Sequence, residues 1–186
     1  MMTKARSRRD DRPEIILDAA ESLLRRSGSR TLTIDAVAAE AGLSKGGVLH
    51  HYASKDALVT ALAARKVQRM QAGIAECAAA LGSDPAAIPL ALIAHARQVY
   101  ADECGFPDSL LIASSENAEA AAGFRAFLAE RLAQLESVEA APGAGAMLAF
   151  SLIGLMMSRS LGFHALEGDE LERFFGALET AARAGR

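Results

Sequence analysis

The sequence predicts an all-α protein in two parts, an N-terminal three-helix unit carrying a helix-turn-helix and a C-terminal helical bundle. Three observations lead there. The chain is rich in Ala and Leu, has no Trp and lacks runs of β-branched residues, a composition that favours helix over strand. Its apolar residues recur at three- and four-residue spacing between breaks marked by Gly and Pro. Residues 33–55, TIDAVAAEAGLSKGGVLHHYASK, read as capped helix, glycine, capped helix, the pattern of a helix-turn-helix. At 186 residues the chain can bury a real core, as one domain or two small ones.

The elements follow in order. Residues 1–12 form a polar arm with Lys4, Arg6, Arg8, Arg9 and Arg12. It reads as a solvated tail that can add phosphate or minor-groove contacts to DNA. Pro13 suits the first position of a helix, whose stripe is Ile16, Ala20, Leu23 and Leu24 and whose stop is Gly28. Thr33 is an N-cap, Asp35 favours the helix dipole, and Ile34, Val37, Ala38 and Ala41 make one apolar face. Gly42 ends that helix and Leu43 plugs the corner. Ser44 caps a second short helix, Lys45 to Tyr52, with Val48 and Tyr52 inward and Lys45, Gly47, His50 and His51 nearer the outside. In a helix-turn-helix it is this second helix that enters a major groove.

A helical hairpin without a DNA role would show the same caps. The adjacent Gly46 and Gly47 argue for a partner, since each costs roughly 1 kcal/mol against Ala in a helix interior and close backbone approach to a ligand justifies that cost. The outer face offers a cation and two imidazoles and no carboxylate before Asp56, which suits a phosphate-lined partner.

Ser54 is a good N-cap for a long helix reaching about Leu81, with Leu58, Leu62, Val67, Met70 and Ile74 as its buried positions. Gly82 to Pro85 is a break. A helix with Ile88, Leu92, Ile93, Ala96, Val99 and Tyr100 follows, then a second break over Cys104 to Pro107. Asp108 can cap a short helix, and a further helix runs from about Glu116 to Ser137. The segment AMLAFSLIGLMMS, Ala146 to Ser158, is too short for a membrane span and is followed by Arg159. It reads instead as a helix buried on nearly all sides. Ser151, Gly154, Ser158 and Gly162 give it a small-residue edge that lets another helix approach. The last helix, Asp169 to about Ala184, carries Leu171, Phe174, Phe175 and Leu178 on one face.

At Thr33, Val37, Ala38, Ala41, Gly42, Leu43, Ser44, Gly46, Val48, Leu49, His51, Tyr52, Lys55 and Leu58 the stretch resembles the TetR family of bacterial transcriptional regulators. The match is long, ungapped and near the N-terminus, where the family carries it. Leu49 departs from the pattern: the family usually has a Tyr there that contacts DNA, whereas Leu offers only apolar contact, for example to a thymine methyl. The resemblance implies a DNA-binding domain over residues 1–56 and an effector-binding and dimerisation domain over 57–186. It implies base readout by Lys45, Gly47, Val48, His50 and His51, close approach at Gly46, and phosphate contacts by Thr33, Ser44, Tyr52 and Lys55. It implies a homodimer through the last two helices, using Ser151, Gly154, Ser158, Gly162, Leu171, Phe174, Phe175 and Leu178. It also implies a small-molecule pocket in the C-terminal domain. Met70, Phe106, Phe124, Phe127, Met147 and Phe150, with His95 and Tyr100 as polar anchors, are candidates to line it, although such residues are more often plain core. The scarcity of charge among them points to an apolar or weakly polar ligand. The expected partners are therefore double-stranded operator DNA, a second copy of the chain and an effector, with no membrane.

The charge distribution agrees. Net charge is −3, but residues 1–56 hold ten Lys/Arg against eight Asp/Glu, and residues 57–186 hold ten against fifteen. The positive charge lies where DNA would bind. Cys77 and Cys104 are too few and too far apart for a metal motif, and the N-terminus carries no secretory signal, so a cytoplasmic protein with reduced thiols is expected. An enzyme is the competing class. The sequence offers no G-x-S-x-G, H-E-x-x-H or phosphate-binding glycine loop. His50 and His51 point roughly 100° apart on a helix and make a poor metal pair. No cofactor is expected. The expected action is repression relieved by ligand. An activator, or a regulator of the same fold without an effector, is the alternative that the sequence does not separate from it.

Overall fold

Among the described residues every regular element is helical. The computed structural model describes residues 12–102, 106–139, 141–164 and 166–184. Its helices are α1 (Arg12–Ser27), α2 (Ile34–Glu40), α3 (Lys45–His51), α4 (Lys55–Leu81), α5 (Ala87–Asp102), α6 (Phe106–Ser115), α7 (Ala118–Glu136), α8 (Ala144–Ser160) and α9 (Gly168–Ala184), with a single 3-10 turn at Ser29–Thr31. The basic arm expected at the N-terminus lies outside the described residues, apart from Arg12. No described helix is long and apolar enough to cross a membrane.

The chain divides into two compact units. One comprises Met1–Ala64 with Ser109–Ala121, the other Arg65–Asp108 with Ala122–Arg186. The sequence pattern suggests a division at residues 56 and 57. The first unit reaches further along α4 because the opening turns of that helix bury Leu58, Val59, Leu62 and Ala63, each no more than 2% exposed. It also takes in a segment from much later in the chain, which no local pattern assigns to it.

In the first unit, α1 buries Ile16, Leu17, Ala20 and Leu24 along one face and ends at Gly28, whose φ of +72° is the left-handed conformation glycine adopts without strain. Helices α2 and α3 have seven residues each, too few to persist alone in water. Packing holds them: Val37 and Val48 are fully buried, and each contributes about 1.5–3 kcal/mol on leaving water.

In the second unit, Leu90, Ile93, Tyr100, Leu135, Leu148, Leu152, Leu155 and Phe175 form the main core. Helix α5 lies against both α8 and α9. The Arg97 guanidinium donates to Glu172 and, at 3.0 Å, to Glu179, both on α9, and sits 4.6 Å from the centre of the Phe175 ring. Two helix pairs approach at glycine. The His95 imidazole of α5 rests on Gly73 of α4, where a Cβ would come within 2.4 Å of the ring. Gly145, in the first turn of α8, faces Leu135 of α7, where a Cβ would meet the Leu135 Cβ at 2.7 Å and its carbonyl carbon at 3.1 Å. Glu139 closes that corner. Its two carboxylate oxygens accept from the Gly143 N–H at 3.0 Å and the Gly145 N–H at 2.8 Å.

Helix α8 departs from the expectation of burial on nearly all sides. Leu148, Ala149, Leu152 and Leu155 are buried, but Met147 is 70% exposed and Phe150 56%, with Ile153 and, just beyond the helix, Leu161 and Phe163 also exposed. A nearly uniform apolar sequence carries no record of which face packs inside its own chain. Phe175, expected with Leu171, Phe174 and Leu178 at the dimer interface, is fully buried in the core of its own chain, while the other three are partly buried against that core.

Candidate nucleic-acid interface

The helix-turn-helix is set by caps and by one glycine. Thr33 Oγ1 accepts from the Ala36 N–H at 3.2 Å and so opens α2. Gly42, with φ +65°, turns the chain out of α2, and the Leu43 N–H returns to the Ala38 carbonyl at 2.9 Å. Ser44 Oγ accepts from the Gly47 N–H at 3.1 Å and opens α3. Ser54 Oγ does the same for the Ala57 N–H of α4, also at 3.1 Å. Each cap satisfies a donor that the first helical turn leaves without an intrahelical partner.

Helix α1 braces this assembly through a clamp that the sequence did not announce. Arg26 donates from both guanidinium nitrogens to Glu40 at the end of α2, at 2.8 and 2.7 Å, and Ser22 adds a hydrogen bond to the same carboxylate at 3.1 Å. The Arg26 hydrogen bonds, followed by that from Ser22, hold the Glu40 carboxyl below the usual carboxylate range. The i, i+4 partner of Arg26, Ser22, is visible in the sequence, but the partner that matters is fourteen residues away.

Helix α3 sorts the expected contact residues. Val48 is fully buried, so its side chain belongs to the core and not to base readout. His50 is exposed and His51 half-buried, with ring centroids 5.1 Å apart in an edge-to-face arrangement. Leu49 is 37% exposed. Lys45 is exposed but paired with Asp35 of α2 at 3.0 Å, so the outer surface is not free of carboxylate as the spacing along α3 alone suggests. Both partners are well exposed, and such a pair contributes little. The two glycines differ. A Cβ on Gly46 meets nothing within 4 Å, whereas one on Gly47 comes to 3.3 Å from the capping Ser44 Oγ. The Tyr52 hydroxyl donates to the Pro13 carbonyl at 3.4 Å, which ties the end of α3 to the start of α1. Lys55 is exposed at the first position of α4.

The expected effector residues do not converge on one enclosed cavity. The Tyr100 hydroxyl donates to the Leu166 carbonyl at 2.8 Å and the residue is 4% exposed; it is a core anchor. Arg159 covers its ring at 3.9 Å. His95 is spent on the contact with Gly73. Phe127 packs on the small cluster of Ile74, Cys77 and Ala91, with Arg131 over its ring at 5.5 Å. Phe124 and Met70 are half-buried, and the side chain of Phe106 lies outside the described residues. Met147 and Phe150, being exposed, do not line an interior. Two clefts open in the second unit. One of about 380 Å³ is lined by Leu135, Val138, Ala144, Met147, Ser151 and Leu178. Another of about 260 Å³ lies among Ile74, Ile88, Ala91 and Leu92, with Gln71 and Arg131 at its wall. Among the described residues, Met147 alone of the expected set lines either of these clefts. Among the expected dimer residues, Gly154 and Gly162 are exposed and Ser151 and Ser158 half-buried. Among the described residues no cluster of His, Cys, Asp or Glu has the makings of a metal site.

Residues 16–62 match the bacterial regulatory proteins of the tetR family, and residues 87–183 match the tetracyclin repressor-like C-terminal domain. The chain belongs to the TetR family. Members are non-enzymatic DNA-binding transcriptional regulators, and the chain is one of these regulators. No curated protein sequence matches it. Solved structures share its TetR fold at low identity. A transcriptional regulator from Rhodococcus sp. Rha1 is 21% identical, with a TM-score of 0.72 over 93% of this chain and 95% of its own. NalD, the secondary repressor of the MexAB-OprM multidrug efflux pump in Pseudomonas aeruginosa, is 18% identical, with a TM-score of 0.69 over 92% and 95%. The multidrug binding protein EbrR, complexed with malachite green, is 21% identical, with a TM-score of 0.67 over 97% and 99%. At these identities the likeness establishes the fold alone.

Proposed function

We propose that this TetR-family chain acts in the cytoplasm as a homodimeric repressor that leaves its operator when a small apolar or weakly polar ligand occupies the second unit. In this reading α3 enters the major groove. Lys45, His50 and His51 face base edges, Gly46 and Gly47 allow close approach, and Thr33, Ser44 and Lys55 meet phosphates, while the Tyr52 hydroxyl, given to the Pro13 carbonyl, holds α3 to α1. Val48 supports α3 from beneath. The observation that carries the reading is the helix-turn-helix itself: α3, opened by the Ser44 cap and held from beneath by buried Val48, leaves Lys45, Gly46 and His50 exposed. The exposed face of α8, with Met147, Phe150, Ile153 and Gly154, supports a two-fold contact with a second copy. A two-fold dimer presents two copies of α3 to two half-sites. The ligand class is supported by the apolar lining of the two clefts and by what is known of EbrR, a multidrug binding protein of the same fold. For release to approach completion, the ligand must favour the non-binding conformation by several kcal/mol.

The test is fluorescence anisotropy of the purified chain on labelled DNA from immediately upstream of its own gene, with random competitor and two salt concentrations. Tight, competitor-resistant, salt-sensitive binding at one dimer per site is expected, with release by apolar ligands in a subsequent screen. Binding no tighter than to competitor, both there and on duplexes selected from random DNA, would sink the reading.

A further inference from the structure

Asn117 joins two stretches of chain that lie far apart in sequence but within one unit. The residue is 9% exposed and stands just before α7, in the Ser109–Ala121 segment that belongs with the helix-turn-helix. Its side chain works on two elements. The Oδ1 atom accepts from the Glu119 N–H at 3.1 Å and the Ala120 N–H at 3.0 Å, which caps α7, and lies 3.5 Å from the Thr60 hydroxyl, which can donate to it. The Nδ2 atom donates to the Asp56 carbonyl at 2.9 Å and the Thr60 hydroxyl at 3.2 Å, both in the opening turns of α4. Its own N–H donates to the Ser114 carbonyl at 3.0 Å. A cap needs only the acceptor, and Asp or Ser would serve as well. The donor half of the amide is spent on α4, at the residue directly after Lys55. A buried amide engaged on both sides tolerates little displacement of either neighbour.

We infer that Asn117 is a positioning residue for the operator-facing end of α4. It pins the corner between α6 and α7 to Asp56 and Thr60, and this fixes where Lys55 meets phosphate. The inference rests on the reading that Lys55 is a phosphate contact. Asn117 itself touches no DNA.

Asn117→Asp separates its two tasks. The carboxylate still caps α7 and can still accept from the Thr60 hydroxyl, but it cannot donate to the Asp56 carbonyl that it faces. The probe is a duplex selected from random-sequence DNA by the wild-type protein. Asn117→Asp is expected to bind it about tenfold more weakly, with a melting temperature lower by a few degrees and a salt dependence shallower by about one phosphate contact. Lys55→Ala is expected to do the same, and the double variant should lose little more than either single one, because both remove one contact. Binding by Asn117→Asp within twofold of wild type, or losses that add fully with those of Lys55→Ala, overturns the inference. If Asn117→Asp does not fold, Thr60→Val carries the same comparison: a non-additive loss with Lys55→Ala supports the pin, and an additive one overturns it. The underlying reading fails separately. Lys55→Ala would then keep the wild-type affinity and salt dependence, or wild type would select no duplex, and the inference would fall with it.

Discussion

Gly46 and Gly145 show how one residue type answers to two different demands. At Gly145 the demand is internal, since a methyl group would strike Leu135, including its backbone carbon. Gly145→Ala is therefore expected to destabilise the fold by about 1–3 kcal/mol, the usual cost of overpacking, as read from urea unfolding. At Gly46 no neighbour lies within 4 Å, and Ala is the better helix former. Gly46→Ala should leave the melting temperature unchanged or raise it, while weakening binding to a selected operator. A variant that binds like wild type would remove the argument from the glycine pair. The sequence made some of these residues readable and others not. Thr33, Gly42 and Ser44 were legible because caps and turns act within three residues. The Arg26 clamp and the link from Asn117 to α4 were not, because their partners lie 14 and 57 to 61 residues away. Val48 was legible as an inward residue from its spacing, and the family pattern that counted it among the contacts was the poorer guide.

Helix boundaries were legible where a Gly, Ser or Thr marked them, as for α1, α2, α3 and the start of α4. The outward face of α8 was not, because eight of its seventeen residues are Met, Phe, Ile or Leu and the rest, apart from Arg159, are Ala, Gly or Ser, which leaves no charged stripe to mark the solvent side. The start of α8 instead depends on one ion. Two backbone N–H groups, that of Gly145 first and that of Gly143 second, hold the Glu139 carboxyl below the usual carboxylate range. A carboxyl lowered on folding contributes stability that is present above its unfolded value and is lost as pH falls through its folded one. Wild type should therefore melt above Glu139→Gln at neutral pH, and the gap should close progressively below about pH 4. A gap independent of pH, followed by circular dichroism, would mean that the charge on Glu139 does not hold this corner.

For the molecule as a whole, the side chains left outside decide more than the core does. Met147, Phe150, Ile153, Leu161 and Phe163 form an outward apolar series of the kind that soluble chains cover with a partner. Phe150→Glu should shift sedimentation from dimer towards monomer with helicity retained, and operator affinity should fall steeply, because one half-site alone gives up the advantage of paired binding. A Phe150→Glu protein that still sediments as a dimer would place the two-fold contact elsewhere. Fold class and family were legible at this scale because the helix-turn-helix is short and local. The unit boundary was not, because residues 109–121 join the first unit only through three-dimensional contacts.

That late-joining segment has a consequence during synthesis. A ribosome making this chain releases residues through Ala64 before it has translated the stretch that completes their unit, and residues 65–108 intervene. At roughly 5–20 residues per second, the wait lasts a few seconds. Through that interval, and permanently in any product truncated before Asn117, the end of α4 lacks its pin. Incomplete chains thus lack a contact that the finished unit has, and they are expected to bind a selected duplex less tightly than the full chain.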